Sequence, residues 1–317
     1  MSTSEPSTRT DAGVAPSRWH GSLPALVTPL TPGRDVAVDD VAVLARRAVA
    51  DGAVGVLVAG STGEGTLLEA EQRVELTRTA RRALEDLADE RDGARATVLA
   101  GASGPTVGAL DDDVARLADA GADAVLVLAP HTYALRPEEL VDLHLGIAER
   151  AAVPTLVYHI PQLTGSALTP EAVAELAAHP GVWGMKDSSP DAARRSDFVA
   201  ATAHRADFDV LTGHAPSLQA ALEAGVAGSI TAIANLRQRR VVELHAAVAD
   251  GDPARAADLQ RGLTRLSDGI GAVGASVPAV LKAALQLDGV IAERWCRPPL
   301  RSLDSKRLDR VRTALMA

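Results

Sequence analysis

The chain has 317 residues, 47% of them hydrophobic and 23% charged, with a net charge of −9 and a pI near 5.4. That length suits one large α/β domain with an appendage, and the acidic balance, with no basic stripe, argues against nucleic acid as a partner. Only 2% of residues are aromatic, so Ala, Val and Leu must fill the core, and each of the two tyrosines stands out.

Residues 1–20, MSTSEPSTRTDAGVAPSRWH, are rich in Ser, Thr and Pro and lack the apolar stretch of a signal peptide; a disordered tail is expected. No run approaches the ~18 consecutive apolar residues of a membrane span, so no membrane partner and a cytoplasmic location are expected. The single cysteine, Cys296, has no partner for a disulfide or a zinc pair and reads as structural.

From residue 21 onward, short apolar runs alternate with segments of helical period. The predicted strands are Leu23–Thr28, Gly55–Ala59, Ala96–Gly101, Ala124–Ala129, Thr155–Ile160, Val182–Lys186, Asp209–Thr212 and Ser229–Ala232. Most are Val-, Leu- or Ile-rich without strict alternation, as strands covered on both faces are. Between them, Asp39 opens a helix that Asp51-Gly52 closes, and Thr169-Pro170 gives an N-cap followed by proline. Gly121 and Gly225 stand where helix C-termini need a left-handed residue.

Eight such units predict a (β/α)₈ TIM barrel over residues 21–250. An open dinucleotide-binding sheet would carry a glycine fingerprint after its first strand, where this chain has Thr28-Pro29-Leu30-Thr31-Pro32-Gly33. Residues 251–317 keep helical period, with Ala254–Asp268, Pro278–Leu287 and Ser305–Met316 as three C-terminal helices packed on the barrel.

Catalytic groups of such barrels sit at the C-terminal strand ends. The second strand ends in Gly60-Ser61-Thr62-Gly63-Glu64-Gly65, whose backbone N–H groups suit a carboxylate or phosphate, or form a plain capped turn. The fifth ends in Tyr158-His159-Ile160-Pro161-Gln162-Leu163-Thr164-Gly165 and the sixth in Gly184-Met185-Lys186-Asp187-Ser188-Ser189. Alternation puts Val182, Gly184 and Lys186 on one face and Trp183 and Met185 on the other, against helices. A lysine buried there has two explanations: an ion pair with Glu64 or Asp187, or a desolvated neutral amine that attacks carbonyls. Tyr158 and Lys186 are 28 residues apart, about one βα unit, which sets them at matching heights on neighbouring strands. At a strand spacing of about 4.8 Å both reach one small substrate, and the phenol can move protons for the amine.

These three segments, in this order, resemble the dihydrodipicolinate synthase/N-acetylneuraminate lyase family, with Pro24-Ala25-Leu26-Val27-Thr28-Pro29 and Arg297-Pro298-Pro299-Leu300 extending the resemblance over residues 21–317. The resemblance implies a class I aldolase-type carbon–carbon lyase in which Lys186 forms a Schiff base with pyruvate or a pyruvate-derived 2-oxo acid and Tyr158 transfers protons. It implies a carboxylate site at Ser61, Thr62 and Gly63, pocket lining by Gly228, Ser229 and Ile230, no metal and no other cofactor, and a homo-oligomer, typically a tetramer.

Departures bear on the substrate. Where dihydrodipicolinate synthases carry an arginine before Thr-Gly, this chain has Leu163, which lacks the bidentate partner of a dicarboxylic substrate. Their Pro-Tyr-Tyr relay segment is here Pro130-His131-Thr132-Tyr133, so Tyr133, Thr132 or His131 substitutes, or the relay differs. Sialic acid lyases carry acidic residues after strand seven, where this chain has Gly213-His214-Ala215-Pro216; His214 is either a substrate contact or a surface loop residue. The expected substrates are therefore a 2-oxo acid such as a 2-keto-3-deoxy sugar acid and its aldehyde fragment. The rival readings are 4-hydroxy-tetrahydrodipicolinate synthase, acting on pyruvate and aspartate semialdehyde, and a non-catalytic barrel that binds a small acid.

Overall fold

A computed structural model describes residues 19–91 and 95–316. Eight parallel strands run β1 (Gly21–Pro24), β2 (Gly55–Val58), β3 (Thr97–Ala102), β4 (Ala124–Val127), β5 (Thr155–His159), β6 (Val182–Asp187), β7 (Asp209–Thr212) and β8 (Gly228–Thr231). The helices between them are α1 (Val38–Ala50), α2 (Ala70–Arg91), α3 (Val107–Asp119), α4 (Pro137–Arg150), the single turn α5 (Pro161–Thr164), α6 (Pro170–Ala178), α7 (Ala192–Thr202) and α8 (Leu218–Glu223). After β8 come α9 (Ala234–Ala249), α10 (Pro253–Ala272), α11 (Val277–Leu287) and α12 (Ser305–Met316).

The strands pair in the order β1-β8-β7-β6-β5-β4-β3-β2. The ring closes between β1 and β2, where Val54 N donates to Ser22 O at 3.1 Å and Leu26 N to Leu57 O at 2.9 Å. All strands but β1 end within two residues of their predicted bounds. The first strand, predicted to reach Thr28, leaves the regular ladder after Pro24 because the Asn235 side chain of α9 takes over its backbone groups. Asn235 accepts from Val27 N at 3.0 Å and donates to Ala25 O at 2.6 Å.

Helix starts follow local chemistry. Thr169 accepts from Ala172 N at 3.3 Å with Pro170 at the first helical position. Asp39 is not the cap of α1: the helix begins at Val38 after Ala37, and Asp39 and Asp40 fill its first turn, where they favour the helix dipole. Gly121 and Gly225 hold φ of 94° and 90° just past α3 and α8, a backbone that favours glycine.

The barrel interior is a layer of aliphatic side chains: Leu23, Leu57, Leu99, Leu126, Leu156, Leu211 and Ile230, with Tyr158 above them. Strand β6 adds Gly184 and Lys186 instead of a leucine. One expectation fails on this strand. Trp183 packs against the interior layer, while Val182 joins Met185 on the helix side. The cause is a register shift between β5 and β6, which pairs Thr155 with Val182 but Leu156 with Gly184. The extra residue resets the alternation.

The helices α10, α11 and α12 lie against α9 and one another, and α11 is buried from Pro278 to Leu285. Trp19 lies in the stretch expected to be a disordered tail, yet it is buried and its N–H reaches Asp209 at 3.3 Å; residues 1–18 of that stretch lie outside the described residues. Among the described residues no single helix is long and apolar enough to cross a membrane; α10 and α11 pass together only by length and composition, bent by 108°.

Candidate active site

Register sets the centre of the site. Tyr158 of β5 pairs with Lys186 of β6, and their side chains enter the barrel together. The Lys186 Nζ lies 4.4 Å from the centroid of the Tyr158 ring. Both are buried, Lys186 at 3% and Tyr158 at 7% exposure. The ion-pair explanation of the lysine does not hold, because both carboxylates in question are taken. Glu64 pairs with Lys282, and Asp187 pairs with Arg195 at 2.8 Å; among the described residues no carboxylate lies within ion-pair reach of Lys186. A buried ammonium without a carboxylate costs several kcal/mol, more than the roughly 1.5–3 kcal/mol that a buried leucine contributes at the same place. The position is costly for a fold and useful for chemistry.

One glycine, Gly213, leaves space beside the Lys186 side chain, and another, Gly184, lets β6 approach the β7 backbone. A Cβ on Gly184 would stand 2.4 Å from Asp209 O, and one on Gly213 would stand 2.9 Å from Lys186 Cε and 2.1 Å from Ser188 Oγ. Gly213 was not singled out from the sequence; the available signal was a glycine directly past a strand end.

The phenol is tied to the loop after β2, where Ser61 Oγ donates to Tyr158 Oη at 3.3 Å. Burial pushes the Tyr158 phenol up, but the Lys186 charge and the hydroxyls of Ser61 and Ser188 outweigh it, and the phenol titrates below the ordinary tyrosine value. The N–H groups of Ser61, Thr62 and Gly63 find no acceptor among the described residues. Ser61 and Thr62 are half-buried and Gly63 is buried.

On the outer face the same register pairs His159 with Asp187, Nδ1 to Oδ1 at 2.8 Å. Asp187 also accepts from Arg195 Nε at 2.8 Å, Ser189 N at 3.1 Å and Ser189 Oγ at 3.0 Å. Burial raises its carboxyl, and these donors more than reverse that, so it ionises below the usual range. The network reaches the loop after β7: Arg195 donates to Ser217 at 3.2 Å, and Ser217 meets His214 Nδ1 at 2.8 Å. Burial and the Arg195 charge lower the basicity of the half-buried His214, with Asp187 opposing.

The remaining candidates divide. Ile230 lies in the interior layer with Tyr158. Gly228 begins β8, and Ser229 turns the other way, its hydroxyl 2.9 Å from His245 of α9, so only its backbone is left for the barrel side. Leu163, in the turn α5 after β5, and Tyr133, on the loop after β4, are 62% and 79% exposed. Thr132, with His131, Arg73 and Ser103, lines a 350 Å³ groove at the same end of the barrel. A larger groove of 850 Å³, on the outside between α1, α2 and α3, holds none of these residues. Among the described residues no cluster of His, Cys, Asp and Glu could hold a metal.

The sequence profile of the dihydrodipicolinate synthetase family matches residues 18–317. A 4-hydroxy-tetrahydrodipicolinate synthase from Hyphomonas neptunium is 34% identical over 250 residues, 78% of this chain and 82% of that protein. Among solved structures, dihydrodipicolinate synthase from Thermotoga maritima superposes with a TM-score of 0.86 at 28% identity, covering 94% of this chain and 98% of that one. A prophage protein of the dihydrodipicolinic acid synthase family from E. coli K12, solved in complex with pyruvate, gives 0.85 at 26% identity with coverage of 94% and 98%. The chain belongs to the dihydrodipicolinate synthetase family and is a lyase of the class I aldolase type.

Proposed function

We propose that the enzyme holds pyruvate, or a pyruvate-derived 2-oxo acid, as a Schiff base on Lys186 and makes or breaks the bond beta to the imine carbon. The observation that carries this reading is a buried lysine without a carboxylate partner, its amine 4.4 Å from the Tyr158 ring. The amine attacks the 2-oxo carbon, Tyr158 passes protons to and from the carbinolamine oxygen, and water leaves. In cleavage Tyr158 takes the proton of the departing aldehyde's hydroxyl, and the imine takes up the released electron pair as an enamine. The enamine carbon is protonated and hydrolysis frees the 2-oxo acid; condensation runs these steps in reverse. Ser61 hands protons to Tyr158 along their 3.3 Å contact, and the amides of Ser61, Thr62 and Gly63 receive the substrate carboxylate. Gly213, Ile230 and the backbone of Gly228 and Ser229 line the pocket, with His214 at its rim.

The partner aldehyde carries no distal carboxylate in this reading. Leu163 stands where a guanidinium would hold one, so a 2-keto-3-deoxy sugar acid fits better than a dicarboxylic product. A second reading is favoured by the names of relatives such as the Hyphomonas neptunium protein: 4-hydroxy-tetrahydrodipicolinate synthase, with the carboxylate held elsewhere. The exposed Tyr133 supports a homo-oligomer, a tetramer by family likeness, in which a second copy covers this loop and Tyr133 or Thr132 completes the proton relay. The reading needs no metal or added cofactor. It divides the chain into a barrel of residues 21–250 and an extension of residues 251–317, in a cytoplasmic enzyme.

Two assays test it. Solvent deuterium should enter the methyl group of pyruvate, since the imine exchanges through its enamine; a folded enzyme that gives no exchange contradicts the imine. Among partners, turnover of 2-keto-3-deoxy sugar acids with inertness toward aspartate semialdehyde supports the first reading, and the reverse pattern supports the second.

A further inference from the structure

The loop after β2 carries two non-glycine residues in the left-handed region, Ala59 at φ 54° and Glu64 at φ 61°. Such a backbone is strained for an L residue and persists where the surroundings hold it firmly. Within the loop Gly65 N donates to Gly60 O at 3.0 Å, Glu64 N to Ser61 O at 3.2 Å, and Thr28 Oγ1 to Gly63 O at 2.6 Å. The carbonyls of Gly60, Ser61 and Gly63 are thus engaged, while the N–H groups of Ser61, Thr62 and Gly63 have no acceptor among the described residues.

The strongest hold comes from the other end of the chain. Glu64 is 2% exposed; its Oε1 pairs with Lys282 Nζ of α11, and its Oε2 accepts from Arg297 N at 2.6 Å. Lys282 is fully buried and donates to Trp295 O at 2.7 Å. The Arg297 side chain returns to the loop, its Nε donating to Leu67 O at 3.1 Å. A buried ion pair adds little net stability over apolar side chains of the same volume, because desolvation offsets the attraction. What it does supply is a fixed position, and here the fixed object is the loop with three open amides.

We infer that Lys282 and Arg297 are positioning residues for the substrate carboxylate, acting through Glu64 to hold the amides of Ser61, Thr62 and Gly63. The inference rests on the reading of that loop as the carboxylate site. The C-terminal extension thereby sets affinity for the 2-oxo acid without touching it. Lys186 and Tyr158 are carried by β6 and β5, and among the described residues the loop hydrogen-bonds to Tyr158 only through Ser61 Oγ at 3.3 Å. All three amides belong to the loop, so loosening it weakens binding more than it slows the bound chemistry.

The test compares wild type, Lys282→Met, Lys282→Arg and the double variant Glu64→Gln/Lys282→Met. The readouts are pyruvate-dependent borohydride trapping and the rate of deuterium exchange into pyruvate. Lys282→Met is expected to need about 10-fold more pyruvate for half-maximal trapping, with exchange at saturating pyruvate reduced less than about threefold. Lys282→Arg keeps the charge and should recover part of the affinity. The double variant leaves no buried charge unpaired, so it folds if Lys282→Met does not, and it should show the same loss. Wild-type pyruvate dependence in a folded Lys282→Met or double variant overturns the inference, as does a slower exchange at unchanged affinity. A wild type that forms no adduct removes the Schiff-base reading and this inference with it; a wild-type adduct beside unaltered variants removes the inference alone.

Discussion

The contact between His159 Nδ1 and Asp187 Oδ1, 2.8 Å long, repeats on the outside of the barrel the register that sets Tyr158 beside Lys186 on the inside. Each residue of the inner pair is followed in the chain by its counterpart in the outer pair. The outer bond therefore resists any slip of β5 against β6, and a slip of one residue would turn Lys186 out of the barrel. Arg195 completes the outer pair from α7, with 1% of its side chain exposed.

Breaking that outer cluster should cost stability. Arg195→Ala leaves the Asp187 carboxylate buried with one cation fewer, and a loss of about 3–5 kcal/mol is expected. Denaturant unfolding measures it; a loss below about 1 kcal/mol would mean that His159 and Ser189 suffice for the carboxylate.

Tyr158→Phe removes the proton carrier and keeps the ring over the amine. Deuterium exchange and turnover should fall about 10²–10³-fold, within the range of general acid–base catalysis. The Tyr158 phenol titrates below the ordinary tyrosine value. The wild-type rate should therefore show an alkaline limb that begins lower than a free phenol would give, and the phenylalanine variant should lack it. An unchanged limb would assign it to another group.

Leu163→Arg places a guanidinium on the rim, at a residue already 62% exposed, so the fold should tolerate it. Condensation of pyruvate with aspartate semialdehyde should rise about 10-fold or more in kcat/KM, as expected for one charge-assisted contact. No gain would show that this loop does not meet the distal end of the aldehyde.

Acid should destabilise the fold through a buried histidine. Burial lowers His144 of α4 to about 4 from the ordinary histidine value of 6.5. With the folded value below the unfolded one, the unfolded chain binds the proton first, so stability is complete above pH 6.5 and is lost as the pH falls toward 4. The contribution is on the order of 3 kcal/mol. His144→Leu should reduce the dependence of unfolding free energy on pH across that window, leaving the part due to His245, which burial also lowers to about 4. An equally steep loss would place the proton uptake elsewhere.

Strand order, barrel closure and the Tyr158–Lys186 pairing were legible in the sequence because each depends on local pattern. Aliphatic runs mark strands, and a spacing of one βα unit brings equivalent positions side by side. Trp183 was misplaced because a bulge is set by the neighbouring strand, which pattern along one strand does not report. The partners of Glu64 were hidden for a different reason: Arg297 lies 233 residues away in the chain, and such a contact exists only once the extension packs on the barrel. The bond of His159 was hidden as well, because its partner Asp187 is a neighbour across strands. Gly213 was passed over for the adjacent His214, although it is the missing side chain that leaves room for Lys186.

The central claim is the covalent role of Lys186, and borohydride trapping with pyruvate followed by intact mass and peptide mapping tests it most directly. Wild type should gain one reduced pyruvate adduct, mapped to Lys186, and Lys186→Arg should gain none while losing at least about 10³-fold in exchange rate. No adduct in folded wild-type protein, or an adduct mapped to another lysine such as Lys282, would contradict the account.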